Sequence, residues 1–403
     1  RDSWNPYTYS GHPFLADIQA AVYYPLSNAL IVLTLHLESA AARLYWLQVE
    51  AILHIALAGF FVYLLVRELA RTPWAAFLAG LLFAFSGYLT GYPPVQLAIL
   101  RTAIWLPLIL WLLWRGFAQP RALRWWISAA LAYAIAFLAG HPQTFLHISY
   151  TVAAWSVVLL IATWRARKKP GFSLIGLLIF TLLTLGLSAA QLLPSLEFTQ
   201  LSVRAEVSYA YVGGGFPLPD TWQLILPGVF TIYSPLYIGI VGLGAVAAAI
   251  ASIFARSNRI DNADATFTPL SARGATIFFL ILGLITLLLS YGDNGLLYPV
   301  FHRLAPGWNL FRGQERAAYL VALSLSVLAG MGAAAIPGLP LRARYRTALL
   351  YGGLTIIAVY MFGMFYQLPG NTAIGQWRYL LIAAGTMILA MSVAVMLWLP
   401  GWS

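Results

Sequence analysis

Apolar residues run through this chain in long blocks separated by short polar connections. That pattern predicts membrane-spanning helices rather than the alternating strands or amphipathic stripes of a water-soluble fold. Ten blocks lie at about 45–66, 74–91, 101–114, 125–140, 143–163, 172–193, 236–254, 275–290, 317–335 and 347–366, with an eleventh at 379–399. The 101–114 block reaches spanning length only if it extends upstream to Pro94. A run at 26–37 is too short to cross the hydrocarbon and predicts an interfacial or re-entrant helix. The expectation is an all-α polytopic transmembrane bundle with about eleven spanning helices, a single membrane domain over 1–403. Three long connections punctuate it: a first outer loop with the short helix at 1–44, an outer loop at 194–235 and another at 291–316. No linker, low-complexity tract or clear repeat breaks the chain.

Composition agrees, with 61% hydrophobic and 9% charged residues, where a soluble domain carries roughly 25% charged. The basic residues orient the bundle. Arg67 and Arg71; Arg115, Arg121 and Arg124; Arg165, Arg167, Lys168 and Lys169; Arg256, Arg259 and Arg273; and Arg342, Arg344 and Arg346 fall in alternate connections, the signature of cytoplasmic loops. The same parity places residue 1 outside. Because the chain begins with Arg1 rather than Met, at least one N-terminal helix is expected to be missing, and LPGWS at 399–403 suggests a second truncation. The net charge of +11 is explained by loops facing anionic lipid headgroups, so no nucleic-acid partner is expected. The absence of cysteine excludes disulfides, a thiol nucleophile and thiolate metal sites.

On this topology His12, His36, His54, His141, His147 and His302 all fall in outer loops or outer helix halves, as do Arg101, Arg204, Arg303, Arg312, Arg316 and Arg378. An outward-facing site explains such an asymmetry. Asp17, in the aromatic-rich 1–26 segment, is a candidate general base; from spacing alone a helix N-cap or loop brace is the stronger reading. Arg101 and His141 could grip a lipid phosphate, or could snorkel and brace a turn respectively. The 191–228 loop contains Glu197, Arg204, Glu206, Asp220, Trp222 and three consecutive glycines, read as a hinged loop closing over substrate, with Tyr209 or Tyr211 as further stacking surfaces. In 290–320, Arg312 and Arg316 form a candidate phosphate clamp, with the alternative that Glu315 neutralises one of them. Glu50 and His54, four apart on one predicted helix, are a secondary candidate. No metalloprotease, P-loop, nucleophile-elbow or EF-hand signature occurs.

The segments WNPYTYSGHPFLADIQAAVYYPL (4–26), WLPLIL (105–110), AGHPQTFLH (139–147), QLLPSLEF with the later SVR (191–204) and YPVFHRLAPGWNLFRGQERAAYL (298–320) resemble, in order, recurring segments of the bacterial YfhO-like membrane protein family. That family looks like a branch of the C-type glycosyltransferases, which use polyprenyl-phosphate-linked sugars outside the cytoplasm. The resemblance implies transfer of a sugar to a cell-envelope acceptor, with Asp17 mapping to the base if the base follows the missing helix. Arg101, Arg312 and Arg316 would bind the donor phosphate, and His12, His141, Glu197, Asp220 and Trp222 would contact substrate. A divalent cation with Asp and His ligands is compatible, although no spacing demands one. The competing classes are a transporter or flippase of an envelope lipid and a non-catalytic subunit of a membrane complex. On the transferase reading Asp17 and at least one of Arg101, Arg312 and Arg316 should line a single outer cavity.

Overall fold

The computed structural model describes residues 4–7, 11–91, 93–166, 170–202, 207–228, 233–255, 268–366 and 373–398. Arg204 and Glu206, the loop cations Arg167, Lys168, Lys169, Arg256 and Arg259, and the side chain of Arg378 lie outside the described residues. The helices are α1 (Pro25–Thr34), α2 (Ala40–Ala70), α3 (Pro73–Ala84), α4 (Gly87–Thr90), α5 (Leu97–Ala103), α6 (Trp105–Ala118), α7 (Leu123–Leu138) and α8 (Pro142–Arg165). They continue as α9 (Gly171–Gln200), α10 (Tyr209–Val212), α11 (Ile240–Phe254), α12 (Ala272–Ser290), α13 (Tyr298–Leu304), α14 (Ala318–Ala335), α15 (Leu341–Tyr366) and α16 (Ala373–Trp398). Among the described residues no strand forms; Asn5 and His12 make one isolated bridge.

Among the described residues eight stretches are long and apolar enough to cross a bilayer: Ala40–Ala70, Pro73–Thr90, Leu97–Ala118, Pro142–Arg165, Gly171–Gln200, Ala272–Ser290, Gln314–Gly338 and Leu341–Gly363. The fold is therefore a polytopic helical bundle. The doubtful 101–114 block does extend upstream, because α5 runs into α6 through Ile104, whose own backbone is helical. Two of the eleven predicted blocks give shorter helices, α7 and α11. Local punctuation bounds both, since Gly140 (φ +95°) follows the end of α7 and Gly239 (φ +93°) precedes the start of α11. At 16 residues α7 reaches about 24 Å, short of the hydrocarbon thickness.

The centre of the bundle is α14, packed by α3, α11 and α12. Fully 78% of its spanning window is buried, against 28% for α9, whose Leu174, Ile175, Leu178, Leu182 and Leu185 point outward. Small residues let the inner helices approach: α2 and α3 cross at Gly59 and Gly80, where a Cβ on Gly80 would sit 2.6 Å from the Gly59 carbonyl oxygen.

The two ends of the bundle differ. At one, Arg115 pairs with Glu68 at 3.2 Å and lies over Trp125, while Arg121 lies over Phe172. At the other, the long connections are sewn together. The glycine run expected to hinge is instead a clasp. The Gly213 and Gly214 carbonyls accept the Asp293 and Gln314 amides at 2.7 and 2.8 Å, and the Phe216 amide donates to the Ser290 carbonyl at 2.9 Å. Bare glycine is required because a Cβ on Gly215 would lie 2.5 Å from the Gly292 nitrogen.

Candidate functional site

At the sewn end a cavity of about 240 Å³ opens between α4, the turn before α5, the 213–216 clasp and the 3-10 turn Gln314–Ala317 that leads into α14. Tyr88, Pro93, Ile99, Phe216, Tyr233 and Pro235 form apolar and aromatic walls, and Glu315 and Arg316 supply the charge. The geometry around these two residues follows from Gly313, whose φ of +76° turns the chain sharply before the helix. The Arg316 Nη1 donates to the Gln143 Oε1 at 2.8 Å and to the Arg312 carbonyl at 2.9 Å. Gln143, at the start of α8, is fixed in turn because its Nε2 donates to the Gly313 carbonyl at 3.1 Å. The rest of the guanidinium, Nε and Nη2, makes no hydrogen bond among the described residues, and Glu315 makes no ion pair there. The Glu315 carboxylate and the Arg316 guanidinium flank the space that a Cβ on Gly313 would enter, 2.9 and 3.1 Å from it. Opposite charges thus face one opening without closing on each other.

Arg101 is used differently. Its Nε and Nη2 donate to the two oxygens of Glu50 at 2.7 and 2.9 Å, and the Ser27 hydroxyl donates to the same carboxylate at 2.6 Å. Both partners are largely buried, with side-chain exposures of 15% and 4%. The fork that would hold a phosphate therefore holds a carboxylate, and Arg101 joins α5 to α2 and α1. The expected Glu50–His54 contact exists, but through the backbone: His54 Nδ1 donates to the Glu50 carbonyl at 2.7 Å. That proton leaves Nε2 to accept from the Tyr24 hydroxyl at 2.6 Å.

Asp17 caps the 3-10 turn Ile18–Ala20, its Oδ1 accepting the Gln19 amide at 2.9 Å and its Oδ2 accepting from His12 Nε2 at 3.0 Å. The loop is held from below by Gln191 and Ser195 of α9, which donate to the Leu15 and Ala16 carbonyls. Asp17 and His12 thus brace each other on this loop, and the cavity walls do not include them. His141 caps α8, its Nδ1 accepting the Thr144 amide at 3.1 Å, while its own amide donates to the Thr102 hydroxyl. Burial, reinforced by the charge of Arg316, pushes the His141 ring down to about 3, so it is neutral at ordinary pH.

The other expected residues are spread around the same end. Arg312 is exposed, with its guanidinium 5.5 Å from the centre of the Tyr211 ring. Glu197 is exposed near the end of α9. Asp220 and Trp222 lie in the 3-10 turn Leu218–Leu224; Asp220 is buried, which pushes its carboxyl up. Tyr209 stacks on Tyr298 and meets the edge of His302 instead of lining the cavity. Among the described residues no three His, Asp or Glu side chains converge as metal ligands.

Of the expected residues, then, Arg316 lines the cavity, and the neutral His141 ring stands close enough for the Arg316 charge to oppose its protonation. Sequence reasoning had considered Glu315 only as a neutraliser of arginine and had missed Gln143, Gly313 and Tyr88. The string FRGQER at 311–316 held the signal, a glycine followed within three positions by an acid and a base. Comparison of the chain with protein-family models, with curated proteins and with solved structures gives no match.

Proposed function

We propose that this protein is a membrane glycosyltransferase that moves a sugar from a polyprenyl-phosphate donor to a cell-envelope acceptor at the outer face of a bacterial cytoplasmic membrane. The observation that carries the reading is the cavity in which Arg316 and Glu315 sit side by side without pairing. Transfer from a phosphate-linked donor needs a cation where phosphate charge develops and a carboxylate where a hydroxyl loses its proton. Arg316, steadied by Gln143, has its remaining donors free for a phosphate, and the aromatic walls Tyr88, Tyr233 and Phe216 suit the faces of a sugar ring. Arg312, exposed nearby, adds positive charge at the approach. The ordered resemblance of five segments to the YfhO-like family points the same way, and the outer placement rests on the loop charges.

The test is transfer of radiolabelled sugar from a panel of polyprenyl-phosphate donors in proteoliposomes. Wild type should transfer, and Arg316→Gln should lose at least tenfold in donor affinity or turnover. Lipid translocation without transfer would instead identify a flippase.

A further inference from the structure

We infer that Glu315 is the general base of the reaction, and that Asp17 is a loop-bracing residue. The inference rests on the transfer reading above and assigns the proton-accepting group within it.

Among the carboxylates of the described residues, Glu315 alone belongs to the cavity wall. The others that resemble candidates are committed elsewhere: Glu50 to Arg101, Glu68 to Arg115, and Asp17 to His12 and the Gln19 amide. A carboxylate that already accepts two hydrogen bonds is a poorer proton acceptor, because those bonds favour its charged form. Glu315 has no such engagement among the described residues, and its neighbour's guanidinium is drawn off to Gln143 and the Arg312 carbonyl. Gly313 keeps the intervening space open. A side chain there would strain a left-handed backbone and enter the gap between the two charges.

The step balances as follows. The acceptor hydroxyl gives its proton to a Glu315 carboxylate oxygen while the hydroxyl oxygen bonds to the anomeric carbon of the donor. The bond from that carbon to the phosphate oxygen breaks, and its electron pair leaves with the polyprenyl phosphate, whose growing charge faces Arg316. The proton on Glu315 then passes to water.

Steady-state transfer by the full chain in proteoliposomes tests this with wild type, Glu315→Gln, Glu315→Asp and Asp17→Asn, each checked for an unchanged melting temperature in detergent. Glu315→Gln should lower kcat at least about a hundredfold while the donor KM stays within about threefold, since the base acts on the acceptor proton. Glu315→Asp should retain measurable transfer, and this variant carries the test if the Gln variant melts early. Asp17→Asn should keep kcat within about threefold of wild type. Transfer by Glu315→Gln within tenfold of wild type, or a larger loss in Asp17→Asn than in Glu315→Gln, overturns the base assignment and leaves the transfer reading standing. No transfer by wild type with any donor and acceptor overturns the transfer reading, and the base falls with it.

Discussion

Arg101 and Arg316 stand at the same end of the bundle, each beside a glutamate, and they differ in what the glutamate does. Arg101 meets Glu50 through two short hydrogen bonds in a largely buried setting, with Ser27 completing the carboxylate. Arg316 turns one nitrogen to Gln143 and a backbone carbonyl, and its neighbour Glu315 faces the cavity without an ion pair. The first arrangement satisfies its charges internally and ties three helices together. The second leaves charge available to a ligand. An arginine and a carboxylate are therefore not a site by composition; which partner takes each donor decides.

This contrast gives graded expectations. The largest effect belongs to Glu50→Ala, which strands a buried guanidinium and should cost roughly 3–5 kcal/mol in unfolding measured in detergent. Removing both partners in Glu50→Gln/Arg101→Gln should recover most of that loss. A single-variant penalty below about 1 kcal/mol would break the comparison, because the pair would then resemble an exposed one.

Acid sensitivity comes next. His141 is held well below its ordinary range when folded, so the unfolded chain binds a proton first and stability falls as pH drops from about 6.5 towards 3. The slope in that window should approach about 1.4 kcal/mol per pH unit from this group. His141→Gln, which keeps a side-chain acceptor, should reduce the slope by that contribution. A slope equal to wild type would mean that His141 does not face Arg316 from a buried position.

The smallest stability effect is expected at Asp17. Asp17→Ala removes the cap on a short turn and should cost about 1 kcal/mol in thermal unfolding. A loss as large as that of Glu50→Ala would place Asp17 in the bundle's framework alongside Arg101.

Much of the fold was legible because a bilayer imposes one length scale on apolar blocks. The predicted blocks match α8, α12 and α14 to within three residues, while α2 and α9 run longer than their blocks and the 74–91 block covers α3 together with α4. The blocks at 125–140 and 236–254 correspond to the shorter α7 and α11, because hydropathy alone does not register where Gly140 ends one helix and Gly239 begins the other. The site was legible only in its ingredients. Arg316 stood out as a cation near a loop, but so did Arg101, and nothing in their local sequence says that Glu50, 51 positions away, occupies Arg101's fork. The same holds for the glycine run. Three glycines signal either freedom or close approach, and the backbone of Ser290–Gly292, far along the chain, makes it close approach.

The central claim is that Arg316 is open to a phosphate and Arg101 is not. Its most direct test is equilibrium binding of a short-chain polyprenyl phosphate to the purified full chain in nanodiscs, comparing wild type, Arg316→Gln and Glu50→Gln/Arg101→Gln. The account predicts that Arg316→Gln weakens binding by about tenfold or more, the worth of one charge-assisted hydrogen-bonding group, while the double variant binds within about twofold of wild type. Loss of binding in the double variant with Arg316→Gln unaffected would contradict it.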